Sequence, residues 1–132
     1  MLRIGICDDS AEARQHMLQL CQKYYENNTD AFEYKMYKNA EEVLEYCDDE
    51  ENQKIDILFL DIEMDGLSGI KLKERVLKLD KIWRIAFVSS HDEKMIESFG
   101  IKTIDFIRKP AGYMDVKAVL EKVLIEKCEN IG

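Results

Sequence analysis

Apolar residues along this chain follow two alternating rhythms. Short runs rich in β-branched, aliphatic and aromatic residues lie at about 2–7, 32–37, 55–60, 83–89 and 103–107, and they predict five strands. Between them, apolar positions recur at helical spacing. A first helix is predicted at about 10–27, with Met17, Leu18, Leu20, Cys21, Tyr24 and Tyr25 in one stripe. A second starts at Asn39, because Asn39-Ala40-Glu41-Glu42 has the form of a capping box, the Asn oxygen meeting the N3 amide. A third, at about 68–80, carries Ile70, Leu72, Val76, Leu77 and Leu79. A fourth, at about 92–99, ends at Gly100, a good helix stop. The fifth, at about 112–128, aligns Tyr113, Val116, Val119, Leu120, Val123, Leu124 and Cys128.

Strands that alternate with helices imply a parallel sheet covered on both faces. The run Ile55 to Leu60 is apolar except for Asp56, as a central strand buried on both sides requires. The run Phe32 to Tyr37 alternates, which suits an edge. Right-handed crossovers then favour an α/β fold: a doubly wound five-stranded parallel sheet of order 2-1-3-4-5, flavodoxin-like, with five helices. The expected organisation is a single domain spanning residues 1–132. In that order the first and third strands flank the switch point, where a crevice opens at their carboxyl ends. Asp8 and Asp9 close the first strand, Asp61 the third, Ser89 the fourth and Lys109-Pro110 the fifth.

The bulk numbers narrow the setting. A chain of 132 residues, 46% hydrophobic and 35% charged, reads as an ordinary globular domain. No apolar run approaches the roughly 18 residues of a membrane span, and the N-terminus enters a strand with no cationic region or cleavage pattern. A cytoplasmic location is expected. Cys7, Cys21, Cys47 and Cys128 form no CxxC pair and no zinc-like spacing, so they read as reduced, mostly buried thiols. A net charge of −8 argues against nucleic acid as a direct partner of this chain.

Three carboxylates at one sheet edge repel one another. At 4 Å and an effective dielectric of about 20, each like pair stands roughly 4 kcal/mol uphill as bare Coulomb energy. A hard divalent cation such as Mg²⁺ (or Mn²⁺) relieves this, and Lys109 adds a second positive charge. Phosphoryl transfer needs mainly positioning and charge neutralisation, and a carboxylate beside a metal can serve as the nucleophile. Asp61 is the candidate because it lies centrally. Capping offers a plainer role for Asp9 or Ser10. The run Asp61 to Gly66 also resembles the start of a calcium loop, but its twelfth position is Leu72 where a bidentate Glu is needed.

These residues resemble the receiver domain of bacterial two-component response regulators. The matching elements are Ile6-Cys7-Asp8-Asp9-Ser10, Phe59-Leu60-Asp61-Ile62-Glu63-Met64 with Gly66 and Gly69, Phe87-Val88-Ser89-Ser90, and Phe106-Ile107-Arg108-Lys109-Pro110. They span nearly the whole chain. The resemblance implies that Asp61 takes a phosphoryl group from a histidine of a sensor kinase. It implies that Asp8, Asp9, Asp61 and the backbone carbonyl of Glu63 hold Mg²⁺, and that Ser89 and Lys109 contact the phosphoryl group. It also implies a cis Lys109–Pro110 peptide, a Ser89 and Phe106 switch, and possible homodimers through the face of the fourth helix and fifth strand. Such a protein catalyses only its own phosphorylation and dephosphorylation.

The pattern of Cys-Asp-Asp-Ser, Leu-Asp-Ile-Glu-Met and Ser-Ser-His-Asp-Glu is similar to the receivers of LytTR-family transcription regulators, which carry a C-terminal DNA-binding domain. The resemblance therefore implies transcription control through an output domain outside this chain, with a stand-alone receiver signalling by protein contact as the alternative. Three positions depart from the family pattern: Asp65 where proline is usual, Ser89 where threonine is commoner, and Phe106 where tyrosine would donate a hydrogen bond. A flavodoxin-like cofactor binder is the competing class; Asp8 and Asp9 would repel its phosphate. His16 reads as a residue of the exposed side of the first helix and His91 as a loop histidine.

Overall fold

The computed structural model of the protein describes residues 1–26, 31–62, 75, 80–90 and 102–131. Its elements are β1 (Leu2–Cys7), α1 (Ala11–Glu26), β2 (Phe32–Tyr37), α2 (Ala40–Asp48), β3 (Ile55–Asp61), β4 (Ile82–Ser89), β5 (Thr103–Arg108) and α3 (Tyr113–Ile131). The strands form one sheet of order β2-β1-β3-β4-β5, and every pairing is parallel. This is the order expected from the sequence. The predicted helices at 68–80 and 92–99 lie outside the described residues, apart from Arg75, which is helical, and Asp80. Among the described residues there are three helices where five were expected.

The two-residue period of the strands sorts their side chains into two cores. Ile4, Ile6, Ile57, Phe59, Ala86 and Val88 face α1 and α3, where Met17, Leu18, Cys21, Val116, Val119, Leu120 and Val123 meet them. Cys7, Leu58, Leu60, Ile85 and Phe87 face the other way, onto Val43 and Cys47 of α2. Each buried aliphatic or aromatic side chain contributes about 1.5–3 kcal/mol relative to exposure. β3 supplies both cores, which explains its near-continuous apolar sequence. Gly5 sits under β3: a Cβ there would lie 2.8 Å from Leu58 Cδ1 and 3.4 Å from Tyr37 Cε2.

Local capping fixes where the helices begin. Asn39 Oδ1 accepts the Glu42 amide at 2.9 Å, and Glu42 Oε2 accepts the Lys38 amide at 3.0 Å. The box therefore closes on the residue before the cap rather than on Asn39 itself. On α1, Ser10 Oγ accepts the Ala13 amide at 3.2 Å, so Ser10 is the cap and Asp9 is left exposed. One expectation on α3 is corrected. Cys128 is exposed, while its neighbour Lys127 is the residue that turns toward the sheet, its ammonium reaching Asp56 Oδ1 at 3.0 Å.

Candidate functional site

The parallel register brings the carboxyl ends of β1, β3, β4 and β5 level. Cys7 is paired with Leu60, Asp61 with Val88, and Ser89 with Arg108. The residues that follow these pairs, or close them, therefore share one edge of the sheet. Asp8 and Asp61 are buried there, and Ser89 is fully covered at the end of β4. Asp9 lies on the exposed rim. One carboxylate oxygen from each of Asp8, Asp9 and Asp61 can be chosen so that all three lie within 4.8 Å of one another. Glu63, Asp65, Gly66, Gly69 and His91 lie outside the described residues.

Lys109 closes the cluster. Its ammonium stands 2.8 Å from Asp8 Oδ2 and 3.2 Å from Asp61 Oδ2, a bridge between carboxylates of two strands. Burial is the largest single influence on its pKa and pulls it down, yet Asp8 and Asp61 together hold it above the ordinary lysine value. At neutral pH the lysine is therefore a cation. The backbone around it is also tied: its amide donates to the Ser89 carbonyl at 2.9 Å, and the Lys109–Pro110 bond is cis. Phe106, one residue on from the Asp105 that pairs with Ala86, is half-buried against the α2-side core.

Cys7 immediately precedes Asp8, but it offers no nucleophile. Burial first, and Asp8 and Asp61 after it, push its thiol well above the usual range, so it stays protonated. What remains is a set of oxygen donors with one fixed ammonium. Hard carboxylate oxygens at this spacing fit a small divalent cation such as Mg²⁺ or Mn²⁺ better than a soft metal. A cleft of about 470 Å³ opens at the cluster, lined by Asp8, Asp61 and Lys109 together with Met17, Phe59 and Pro110.

Two contacts escaped the sequence reading. Arg14 Nη1 donates to the Asp8 carbonyl at 2.7 Å, so α1 grips the end of β1. His16 is exposed, as expected, yet its Nε2 lies 2.8 Å from the Ala111 carbonyl, two residues beyond Lys109. Both acceptors are main-chain carbonyls, which leave no signature in side-chain pattern. Arg14 carried one usable signal: it falls one turn into a helix whose cap adjoins Asp8. Among the described residues, no helix is long and apolar enough to cross a membrane.

Comparison with known proteins agrees with this geometry. A family profile described as "Response regulator receiver domain" matches residues 4–121. The chain is 28% identical over 122 residues to "Sensory transduction protein LytT" of Bacillus subtilis, covering 92% of this chain and 48% of that protein. It is 33% identical over 112 residues to "Accessory gene regulator protein A" of Staphylococcus epidermidis, covering 82% of this chain and 46% of that protein. The chain thus spans about half the length of the curated relatives it matches. Its backbone also resembles the response regulatory domain of mrkE from Klebsiella pneumoniae, with a TM-score of 0.78, 23% identity, and 95% and 97% of the two chains covered. The five-stranded sheet is therefore a receiver fold, and the chain belongs to the response regulator receiver domain family.

Proposed function

We propose that Asp61 accepts a phosphoryl group from a phosphohistidine of a sensor kinase, and that the chain forms one such phospho-acceptor domain over residues 1–132. The observation that carries this reading is the bridge of Lys109 between Asp8 and Asp61 inside a three-carboxylate cluster. An Asp61 oxygen attacks phosphorus and the phosphorus–nitrogen bond breaks. The leaving imidazole nitrogen keeps the electron pair and takes up a proton. Asp8, Asp9 and Asp61 would hold Mg²⁺ or Mn²⁺ with the Glu63 carbonyl, and that cation would neutralise the phosphoryl oxygens. Lys109 turns from Asp8 to a phosphoryl oxygen, and the Ser89 hydroxyl donates to another.

The added charge then alters the sheet edge. Ser89 and Phe106 act as the switch, and because a phenyl ring donates no hydrogen bond, Phe106 responds through burial alone. The readout is a change of protein partner, including a homodimer through the face of the predicted fourth helix and β5. Relatives named as transcriptional regulators, among them "Transcriptional regulatory protein LytR" of Staphylococcus aureus, match over 48% of their length. That name supports an output in transcription control; on this reading the output runs in the cytoplasm through a separate DNA-binding domain, and this domain itself makes no contact to DNA.

The test is intact-mass measurement after incubation with Mg²⁺ and a small acyl phosphate. Wild type gains one phosphoryl mass and Asp61→Asn gains none. Equal gain in both proteins, or gain in neither, sinks the assignment.

A further inference from the structure

We infer that His16 is a positioning residue for Lys109, acting through the main chain that carries it; this rests on the reading of Asp61 as acceptor. Lys109 must hold its ammonium over the acids while its own segment leaves the sheet. The last sheet bond is Lys109 N–H to the Ser89 carbonyl, at 2.9 Å. Pro110 has no N–H to give. The Gly112 amide already turns to the helix that follows, donating to Asp115 Oδ2 at 3.1 Å. Between these two anchors lies the Ala111 carbonyl, on a residue only 7% exposed, and His16 Nε2 meets it at 2.8 Å. Among the described residues, that bond ties the segment to α1.

α1 is a firm anchor for such a tether. Met17, Leu18 and Cys21, on the turn around His16 and the next, are buried in the core, and Lys23 stacks over the Tyr113 ring at 4.4 Å. The same helix grips the opposite half of the site, since Arg14 Nη1 donates to the Asp8 carbonyl. One rigid helix thus sets the spacing between the acid-bearing end of β1 and the lysine-bearing segment after β5. A carbonyl only accepts, so the ring must carry its hydrogen on Nε2.

The test uses the full chain with His16→Phe, which keeps a ring and removes the donor, and His16→Gln, which returns an N–H donor. Phosphoryl uptake from a small acyl phosphate is timed, and Mg²⁺ affinity is measured separately by calorimetry. His16→Phe slows uptake roughly two- to tenfold, the range of one hydrogen bond. Its Mg²⁺ affinity does not fall, because the three carboxylates are untouched and a displaced ammonium only eases the entry of the cation, and His16→Gln recovers most of the rate. Three results overturn the inference: His16→Phe reacts at the wild-type rate, it loses rate and Mg²⁺ affinity together, or His16→Gln does no better. If wild type itself takes up no phosphoryl group, the acceptor reading falls. The tether is then read from the NMR signal of the Lys109 ammonium, which shifts in His16→Phe and returns in His16→Gln; an unmoved signal overturns it.

Discussion

Lys109→Met removes the ammonium that stands between two buried carboxylates, and the structure sets the size of the loss. At an effective dielectric of about 20, the bare attractions are about 6 kcal/mol to Asp8 at 2.8 Å and about 5 kcal/mol to Asp61 at 3.2 Å. The lysine side chain keeps 28% exposure, so water screens the pairs, and its own desolvation offsets much of the remainder. Breaking a buried pair typically costs about 3–5 kcal/mol, and the partial exposure here lowers that to roughly 2–4 kcal/mol. Urea unfolding at pH 7 in a chelator should show that deficit. With its folded pKa above the ordinary 10.5, Lys109 contributes fully below that value, and the contribution fades only as pH rises beyond it. The deficit should therefore hold level from pH 6 to 9. Adding Mg²⁺ should stabilise the variant more than wild type, because the cation restores the missing charge without having to displace an ammonium from Asp8. A variant as stable as wild type in chelator, or an equal gain from Mg²⁺, would refute the reasoning.

Other perturbations test the scaffold and the cation. Gly5→Ala forces a methyl to within 2.8 Å of Leu58 Cδ1 in a full core and should lower stability by about 1–3 kcal/mol, read from the urea midpoint. Asn39→Ala removes the acceptor of the Glu42 amide and should lose about 1 kcal/mol in the same assay. In native protein at pH 8, a disulfide reagent should label the exposed Cys128 alone. Burial raises Cys21 to about 12 and Cys47 to about 11, and Cys7 still higher, so these should react only after unfolding. Lys109→Arg should unfold near the wild-type midpoint but take up phosphoryl groups slowly, because a planar fork fixed on a carboxylate does not swing as an ammonium does. Wild-type uptake by that variant would contradict the proposed movement of Lys109.

The strands were legible because each carries its period in its own residues. β3 could be placed centrally because its run lacks a polar face, and Asp8, Asp9 and Asp61 could be placed at the crevice because parallel strands end together. The start of α2 was equally readable, since Asn39 and Glu42 stand at capping distance in sequence. Cys128 failed for a tertiary reason. Helical spacing puts it near the apolar stripe, but in the fold it is the adjacent Lys127 that reaches the sheet, paired with Asp56 of β3. The contacts of Arg14 and His16 escaped the sequence for a chemical one. Their acceptors are carbonyls of Asp8 and Ala111, and every residue carries a carbonyl.

Lys109 pairs more closely with Asp8 on the far strand than with Asp61 on the nearer one. β5 and β1 are separated by β4 and β3, three spacings of about 4.8 Å each, so this pairing makes the lysine lean across Asp61. The asymmetry has a consequence for the proposed reaction. Before transfer, the ammonium lessens the repulsion between Asp8 and Asp61. Once transfer turns the singly charged Asp61 carboxylate into an acyl phosphate of roughly two negative charges, that larger charge outbids Asp8 for the same ammonium. Asp8 is left to the divalent cation, whose ligand it would be, and the lysine needs only a short swing about a fixed backbone. On the proposed reading, the site holds its catalytic cation as a structural one before transfer. It also explains why the segment after β5 is pinned at both Ser89 and Ala111: only the side chain is meant to move.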